Sequence, residues 1–275
     1  MKPQSPEWLG LICQGQSFEE VGNWLEAAAE YGFKTVQPVF FWDGYSAGDF
    51  ERLAAKLKEL GLSAPVFGVY SDLYKWDQPV GAIFESTIED LKVAAANAAT
   101  IGAENLVTWC GTVGGFAEAH PDNRSPEALA TFKRHQERIL PVLQEAGVAL
   151  LFEPWRDHIL GDEILTAKAC QVDPGHFKAV LDFPNFISPD QWPDKGNRIE
   201  AIATTLAPHI GVVHLKDMLV NEKGEVELPM FGRGELTREL ARAIKPFAGQ
   251  KTIIAEHLGS PDDIPELIES VSRHF

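Results

Sequence analysis

Hydrophobic and polar positions along this chain follow two rhythms that take turns. Short runs rich in Leu, Ile, Val and Phe have the length of strands, and each leads through a loop into a stretch with helical spacing. Trp8 to Cys13 predicts a first strand. Ser17 then serves as an N-cap, Glu20 completes a capping box, and a helix runs to about Gly32. Thr35 to Phe40 predicts the second strand, with a helix from about Gly48 to Leu60 that stops at Gly61. Leu62 to Tyr70 is the third strand, broken by Pro65 near its start, and Thr87 caps a helix that ends at Gly102.

The same order continues to the end of the chain. Asn105 to Cys110 predicts a fourth strand, leading into the loop Gly111-Thr112-Val113-Gly114-Gly115. Ser125-Pro126-Glu127 opens a long helix, with proline in its first turn and a stop at Gly147. Val148 to Trp155, Ala179 to Phe183, Ile210 to Lys216 and Thr252 to His257 predict the remaining strands. Helices are expected near 162–172, 197–208, 236–247 and 263–273. Eight strand–helix units without a linker or a composition break predict an α/β chain folded as one (β/α)8 barrel domain over 1–275. A doubly wound sheet is the alternative, but the Gly-x-Gly-x-x-Gly turn of a dinucleotide site is missing. So are a phosphate-cradling P-loop and a Gly-x-Ser-x-Gly elbow.

Four consecutive strands in the second half end on side chains that ligate metals. They are Leu150-Leu151-Phe152-Glu153, Ala179-Val180-Leu181-Asp182, Gly211-Val212-Val213-His214 and Ile253-Ile254-Ala255-Glu256. A single strand-end carboxylate usually caps a helix or anchors a loop. Four in series instead point into one barrel mouth, where three carboxylates repel one another unless a cation or protons compensate. Glu153, Asp182, His214 and Glu256 are therefore the candidate metal ligands. Oxygen-rich ligation with one imidazole suits Mn²⁺ or Mg²⁺, with Co²⁺ or Zn²⁺ as further candidates.

Composition narrows the partners. Lys and Arg number 24 against 40 Asp and Glu, a formal charge of −16, which repels nucleic acid and anionic membrane surfaces. No run approaches the ~20 apolar residues of a membrane span. The opening Met1-Lys2-Pro3-Gln4-Ser5-Pro6 lacks the apolar core of a signal peptide. Cys13, Cys110 and Cys170 are widely spaced and odd in number, so no disulfide framework is expected. The sequon Asn123-Arg124-Ser125 reads as chance, and a cytoplasmic setting is the expectation.

Several strings resemble one family. Val213-His214-Leu215-Lys216-Asp217 is similar to the His-x-Lys-Asp strand end of the xylose-isomerase-like barrels, which join sugar isomerases and epimerases to endonuclease IV. Phe152-Glu153-Pro154, Leu181-Asp182-Phe183-Pro184-Asn185 and Ala255-Glu256-His257 fit the same order, as does the glycine turn Phe231-Gly232-Arg233-Gly234-Glu235. The resemblance implies the barrel fold, a divalent metal held by Glu153, Asp182, His214 and Glu256, and a homo-oligomer. The endonuclease branch needs a histidine-rich three-metal site, whereas this chain has eight His, most of them away from strand ends. The sugar branch fits better.

One departure limits the resemblance. Ketose 3-epimerases carry Glu, His and Arg where this chain has Ile159, Asn185 and Val220, with His158 as a local substitute for the first. Glu153 and Glu256 are the candidate catalytic pair, flanking a keto sugar or keto polyol from opposite sides so that one removes an α-proton and the other returns it through an enediolate. Lys216, His257, Asn185, Trp109 and Trp155 are the candidate substrate contacts, Lys216 being equally readable as an ion-pair partner. Phe40, Trp42, Tyr70 and Phe183 join the two tryptophans as aromatic residues near strand C-termini. Arg156, Arg198 and Arg233 keep a phosphate open as a substrate group. Isomerase or epimerase is the first reading. A lyase on a keto-inositol or 3-keto glycoside is the second, and a catalytically silent sugar-binding barrel the third.

Overall fold

The computed structural model describes residues 2–40, 47–75, 88–115 and 118–275. Trp42 and the cap at Thr87 lie outside the described residues. The barrel strands are β1 (Leu9–Gly15), β2 (Val36–Phe40), β3 (Val66–Asp72), β4 (Asn105–Trp109), β5 (Ala149–Glu153), β6 (Phe177–Leu181), β7 (Ile210–Leu215) and β10 (Thr252–Ala255). A two-residue hairpin, β8 (Leu219–Val220) with antiparallel β9 (Val226–Glu227), interrupts the series after β7. The eight barrel strands close in the order β1-β10-β7-β6-β5-β4-β3-β2, every pair parallel. This is the (β/α)8 barrel that the alternation predicts.

The helices follow their sequence signals. They are α1 (Phe18–Glu30), α2 (Ala47–Leu60), α3 (Ile88–Ile101), α4 (Pro126–Ala146), α5 (Glu163–Cys170), α6 (Phe183–Phe186), α7 (Lys195–Leu206), α8 (Thr237–Ile244) and α9 (Ile264–His274). Ser17 Oγ accepts the Glu20 amide at 3.2 Å. The Glu20 carboxylate turns one residue earlier than a capping box requires and takes the Gln16 amide at 2.7 Å. Gly147 ends α4 at φ +67, a conformation that costs glycine little. Pro65 and Pro154 lack an N–H for the ladder. Accordingly β3 starts at Val66 rather than Leu62, and β5 ends at Glu153 rather than Trp155. Neither the short α6 nor the hairpin was legible in the sequence.

Strand parity sorts the core into two layers. Ile12, Val39, Val66, Val107, Leu151, Val180, Val212 and Ile254 point inward and fill the barrel. Their neighbours, among them Leu11, Phe67, Leu150, Leu181, Val213 and Ile253, pack outward against the helices. Gly68 on β3 is required by this filling, because a Cβ there would meet Val39 Cγ2 at 2.7 Å. Phe40 and Phe183 have outward parity and are fully buried in the helix-facing layer, so they are no part of the mouth. Among the described residues no helix is long and apolar enough to cross a membrane.

Candidate metal centre and cleft

Inward parity continues past the barrel core into the mouth. Leu151 is followed two residues on by Glu153, Val180 by Asp182, Val212 by His214 and then Lys216, and Ile254 by Glu256. Successive alternate side chains share one face, so the parity that buries the core also delivers these groups to the C-terminal end. Glu153, Asp182, His214 and Glu256 are all buried, with ligand atoms within 4.8 Å of one another.

The bonds inside this group are uneven. His214 Nε2 lies 3.0 Å from Gln37 Oε1, which fixes the proton on Nε2 and turns Nδ1 toward Glu256 Oε2 at 3.4 Å and Glu153 Oε1 at 3.8 Å. Lys216 Nζ donates to Asp182 Oδ2 at 2.5 Å and to Glu256 Oε1 at 2.8 Å. Asn185 donates its amide to Glu153 Oε1 at 3.4 Å. Three buried atoms of the group, Glu153 Oε2, Asp182 Oδ1 and His214 Nδ1, have no hydrogen-bond partner. Buried polar atoms are normally paired, so three orphans converging on one spot fit residues that hold a cation.

Charge gives the same answer. Three carboxylates and the Lys216 ammonium leave −3 + 1 = −2 when His214 is neutral, which a divalent ion balances. Protonation of the side chains can offset part of the same charge. Burial alone would lower the His214 pKa, but the charges of Glu256 and Glu153 outweigh it and raise it to about 9. Burial pushes Asp182 up to about 7 against the pull of Lys216. Burial would likewise raise Glu256, yet Lys216 and His214 hold it below the usual carboxylate range. With its ligand atoms within 4.8 Å of one another, the group could close on a divalent ion through small side-chain shifts.

Above this group the mouth opens into two adjoining recesses of about 340 and 360 Å³, which share Trp109, Glu153 and His257. Ile12, Gln14, Tyr70, Glu256 and Leu258 complete one. Pro154, Trp155, His158, Asn185, Lys216 and Leu228 complete the other. All five predicted substrate contacts, Lys216, His257, Asn185, Trp109 and Trp155, therefore line the cleft. His257 adopts φ +61, an uncommon backbone for a side chain other than Gly, Asn or Asp, which starts the loop after β10. Tyr70 packs on Trp109 with ring centres 5.2 Å apart.

The three arginines are committed elsewhere. Arg198 makes two bonds to Glu163, and Arg233 bonds Asp263 and Glu266. Arg156 lies 4.4 Å over the Trp155 ring and donates to the Ile187 carbonyl. The Asn123 side chain is buried, taking the Val113 amide at 2.7 Å and the Thr112 hydroxyl at 2.9 Å, so the sequon is closed in the fold. Asp217, next to Lys216, accepts from the amides of Met218, Leu236 and Gly232 and from the Thr237 hydroxyl, which locks the glycine turn below β7. A Cβ at Gly234 would meet Asp217 Oδ1 at 2.3 Å. Gln37 was missed by sequence reading. Its only signal is one amide among the apolar residues of β2.

The fold and site together define a parallel barrel with a carboxylate–histidine group at its mouth that could hold a divalent ion. The chain matches the model of the xylose isomerase-like TIM barrel family over residues 25–274 and belongs to that family. A search of curated proteins by sequence found no match. Solved structures share the fold at low identity. A xylose isomerase domain protein from Planctomyces limnophilus superposes with a TM-score of 0.70 at 16% identity, covering 99% of this chain and 97% of that one. D-allulose 3-epimerase from Methylomonas sp., solved with D-allulose, gives 0.69 at 14%, covering 100% of both. 3-Keto-D-glucoside 4-epimerase from E. coli gives 0.67 at 17%, covering 98% of both.

Proposed function

We propose that this protein is a divalent-metal-dependent isomerase or epimerase of a keto sugar or keto polyol. The observation that carries this reading is the buried group Glu153, Asp182, His214 and Glu256 with its three orphaned atoms. Glu153, Asp182, His214 and Glu256 would hold a divalent ion, Mn²⁺ by preference for this donor set, whose Lewis acidity would polarise a substrate carbonyl and acidify the neighbouring C–H. Glu153, whose Oε2 is buried and unpartnered, would take that proton. The electron pair moves onto the carbonyl oxygen and gives an enediolate. Glu256 would deliver a proton, supplied by the Lys216 ammonium that donates to it, to the opposite face, which inverts the carbon. Return to the adjacent carbon gives aldose–ketose isomerisation. Trp109, Trp155 and His257 bound the substrate, and Lys216 keeps Asp182 and Glu256 in place.

A lyase is the second reading, favoured by one observation. Ile159, where ketose 3-epimerases carry a glutamate, is fully buried and offers a sugar nothing polar. In that reading the same first proton transfer is followed by departure of a β-hydroxyl. Proton NMR of the Mn²⁺-loaded enzyme in D₂O, with a panel of ketoses, keto-inositols and 3-keto glucosides and the metal removed before acquisition, tests both. Deuterium entering beside a carbonyl, dependent on metal and on Glu153 and Glu256, is the expected result. An unsaturated product assigns the lyase, and no exchange across the panel counts against these substrates.

A further inference from the structure

Lys and Arg are outnumbered 24 to 40 in this chain, yet one recess is lined by basic side chains with no carboxylate among them. It has a volume of about 390 Å³ and lies in the helical layer, between α8 and the end of α9. Arg238, Arg242 and Lys245 line it from one side and Arg273 and His274 from the other. Ala241, the one apolar lining residue, leaves the space between them open. The recess shares no residue with the cleft at the barrel mouth.

Carboxylates are plentiful, and Arg52, Arg198 and Arg233 each pair with one. In the recess Arg273 pairs with Glu269, Lys245 donates to the Phe275 carbonyl oxygen at 2.7 Å, and His274 stands edge-on to Phe231. Among the described residues, Arg238 and Arg242 have neither an ion pair nor a hydrogen bond. The helix dipole explains part of the grouping. Arg242 is in the last turn of α8, and Arg273 and His274 are in that of α9, where a cation is favoured. Arg238 escapes that explanation. It follows Thr237, the first residue of α8, at the end where the dipole disfavours positive charge. Like charges four residues apart also repel, so Arg238 and Arg242 destabilise each other until an anion joins them.

We propose that this recess binds a small anion bearing two or more phosphate groups, such as a nucleoside polyphosphate or a sugar bisphosphate. Arg238, Arg242 and Lys245 follow the spacing i, i+4, i+7 and form a row along about 10 Å of helix axis. A guanidinium takes two oxygens of one phosphate side by side, so the row suits phosphates in succession. The volume falls within the range of small-molecule sites, about 300–1,000 Å³. The overall charge of −16 repels such a ligand from afar, but salt screens that repulsion beyond about 8 Å. Within the recess every charged lining side chain is positive. The site is separate from the sugar chemistry at the mouth and does not depend on it.

Calorimetric titration of the full chain at about 0.15 M salt tests this, with ATP, D-fructose 1,6-bisphosphate and inorganic phosphate as probes. Divalent ions are left out so that no probe is chelated. ATP or the bisphosphate should bind one per chain, at least about tenfold more tightly than inorganic phosphate. The tighter of the two assigns the ligand to the nucleotide or the sugar class. Arg238→Gln and Arg242→Gln together should weaken that binding at least about tenfold, and Arg242→Lys alone should keep most of it. Arg134→Gln, which removes an exposed cation elsewhere, should leave it unchanged. Binding of neither polyphosphate, equal affinity for inorganic phosphate, or indifference to both recess arginines overturns the proposal. An equal loss in Arg134→Gln overturns it too, because bulk charge would then account for the binding.

Discussion

The two halves of the barrel meet across the cleft with opposite chemistry. In β5, β6, β7 and β10, contiguous in the barrel, inward parity ends on Glu153, Asp182, His214, Lys216 and Glu256. In β1 to β4, also contiguous, it presents Ile12, Gln14, Gln37, Tyr70 and Trp109. One half supplies charge and the other supplies walls and orientation. Geometry does not separate them, because the same two-residue repeat places both sets. Only side-chain type differs. A carboxylate cluster needs neighbours that are neutral and rigid, since further charge would have to be compensated in turn.

Substitutions that remove charge from the second half should have the largest effects. Glu256→Gln and Glu153→Gln are each expected to lower metal-dependent deuterium exchange by about 10²–10⁴-fold, the range associated with positioned acid–base groups. Steady-state exchange rates measured by NMR at saturating Mn²⁺ check this, and a loss under tenfold would move proton transfer to another residue. A change in the neutral half should act through orientation and be smaller. Gln37→Leu frees His214 Nε2 and is expected to weaken Mn²⁺ binding by about 10–100-fold while the barrel stays folded. Unchanged Mn²⁺ affinity would reduce Gln37 to a packing role.

Acidity sharpens the same contrast. The metal-free protein holds His214 as a cation with a pKa of about 9, above its ordinary value of 6.5. The contribution of that charge to metal-free stability is full below pH 6.5 and is lost as pH rises through 9. Metal binding needs the neutral ring, so Mn²⁺ affinity should rise with pH up to about 9 and binding should release a proton below it. Calorimetry in buffers of different ionisation enthalpy counts that proton. Smallest of all should be Ser17→Ala, at the start of α1 and away from the cleft. It should cost about 1 kcal/mol of stability in a denaturant titration and leave exchange unchanged.

Much of this was legible in the chain. The barrel followed from period, because a strand–helix alternation repeated eight times has few other ways to bury its apolar faces. The clustering of Glu153, Asp182, His214 and Glu256 followed from their position at strand ends, and Lys216, His257, Asn185, Trp109 and Trp155 line the cleft because they lie at or just past those ends. The aromatic residues were less legible. Phe40 and Trp109 each end a strand, yet Trp109 lines the cleft and Phe40 packs against the helices. Parallel strands buried on both faces show no polar alternation that would reveal which parity points inward.

What the sequence determined by itself is local: where strands and helices start and stop, and which of them end on a carboxylate or imidazole. Propensity, capping and glycine stops act within a few residues, so a linear string carries them. Closure of the barrel decided the rest. It brought Gln37 to His214 across 177 positions and set Lys216 between Asp182 and Glu256. It also buried His158 beside the cleft with Nδ1 unpartnered. Those outcomes depend on strand order, register and exclusion of water, which exist only once the first and last strands have paired.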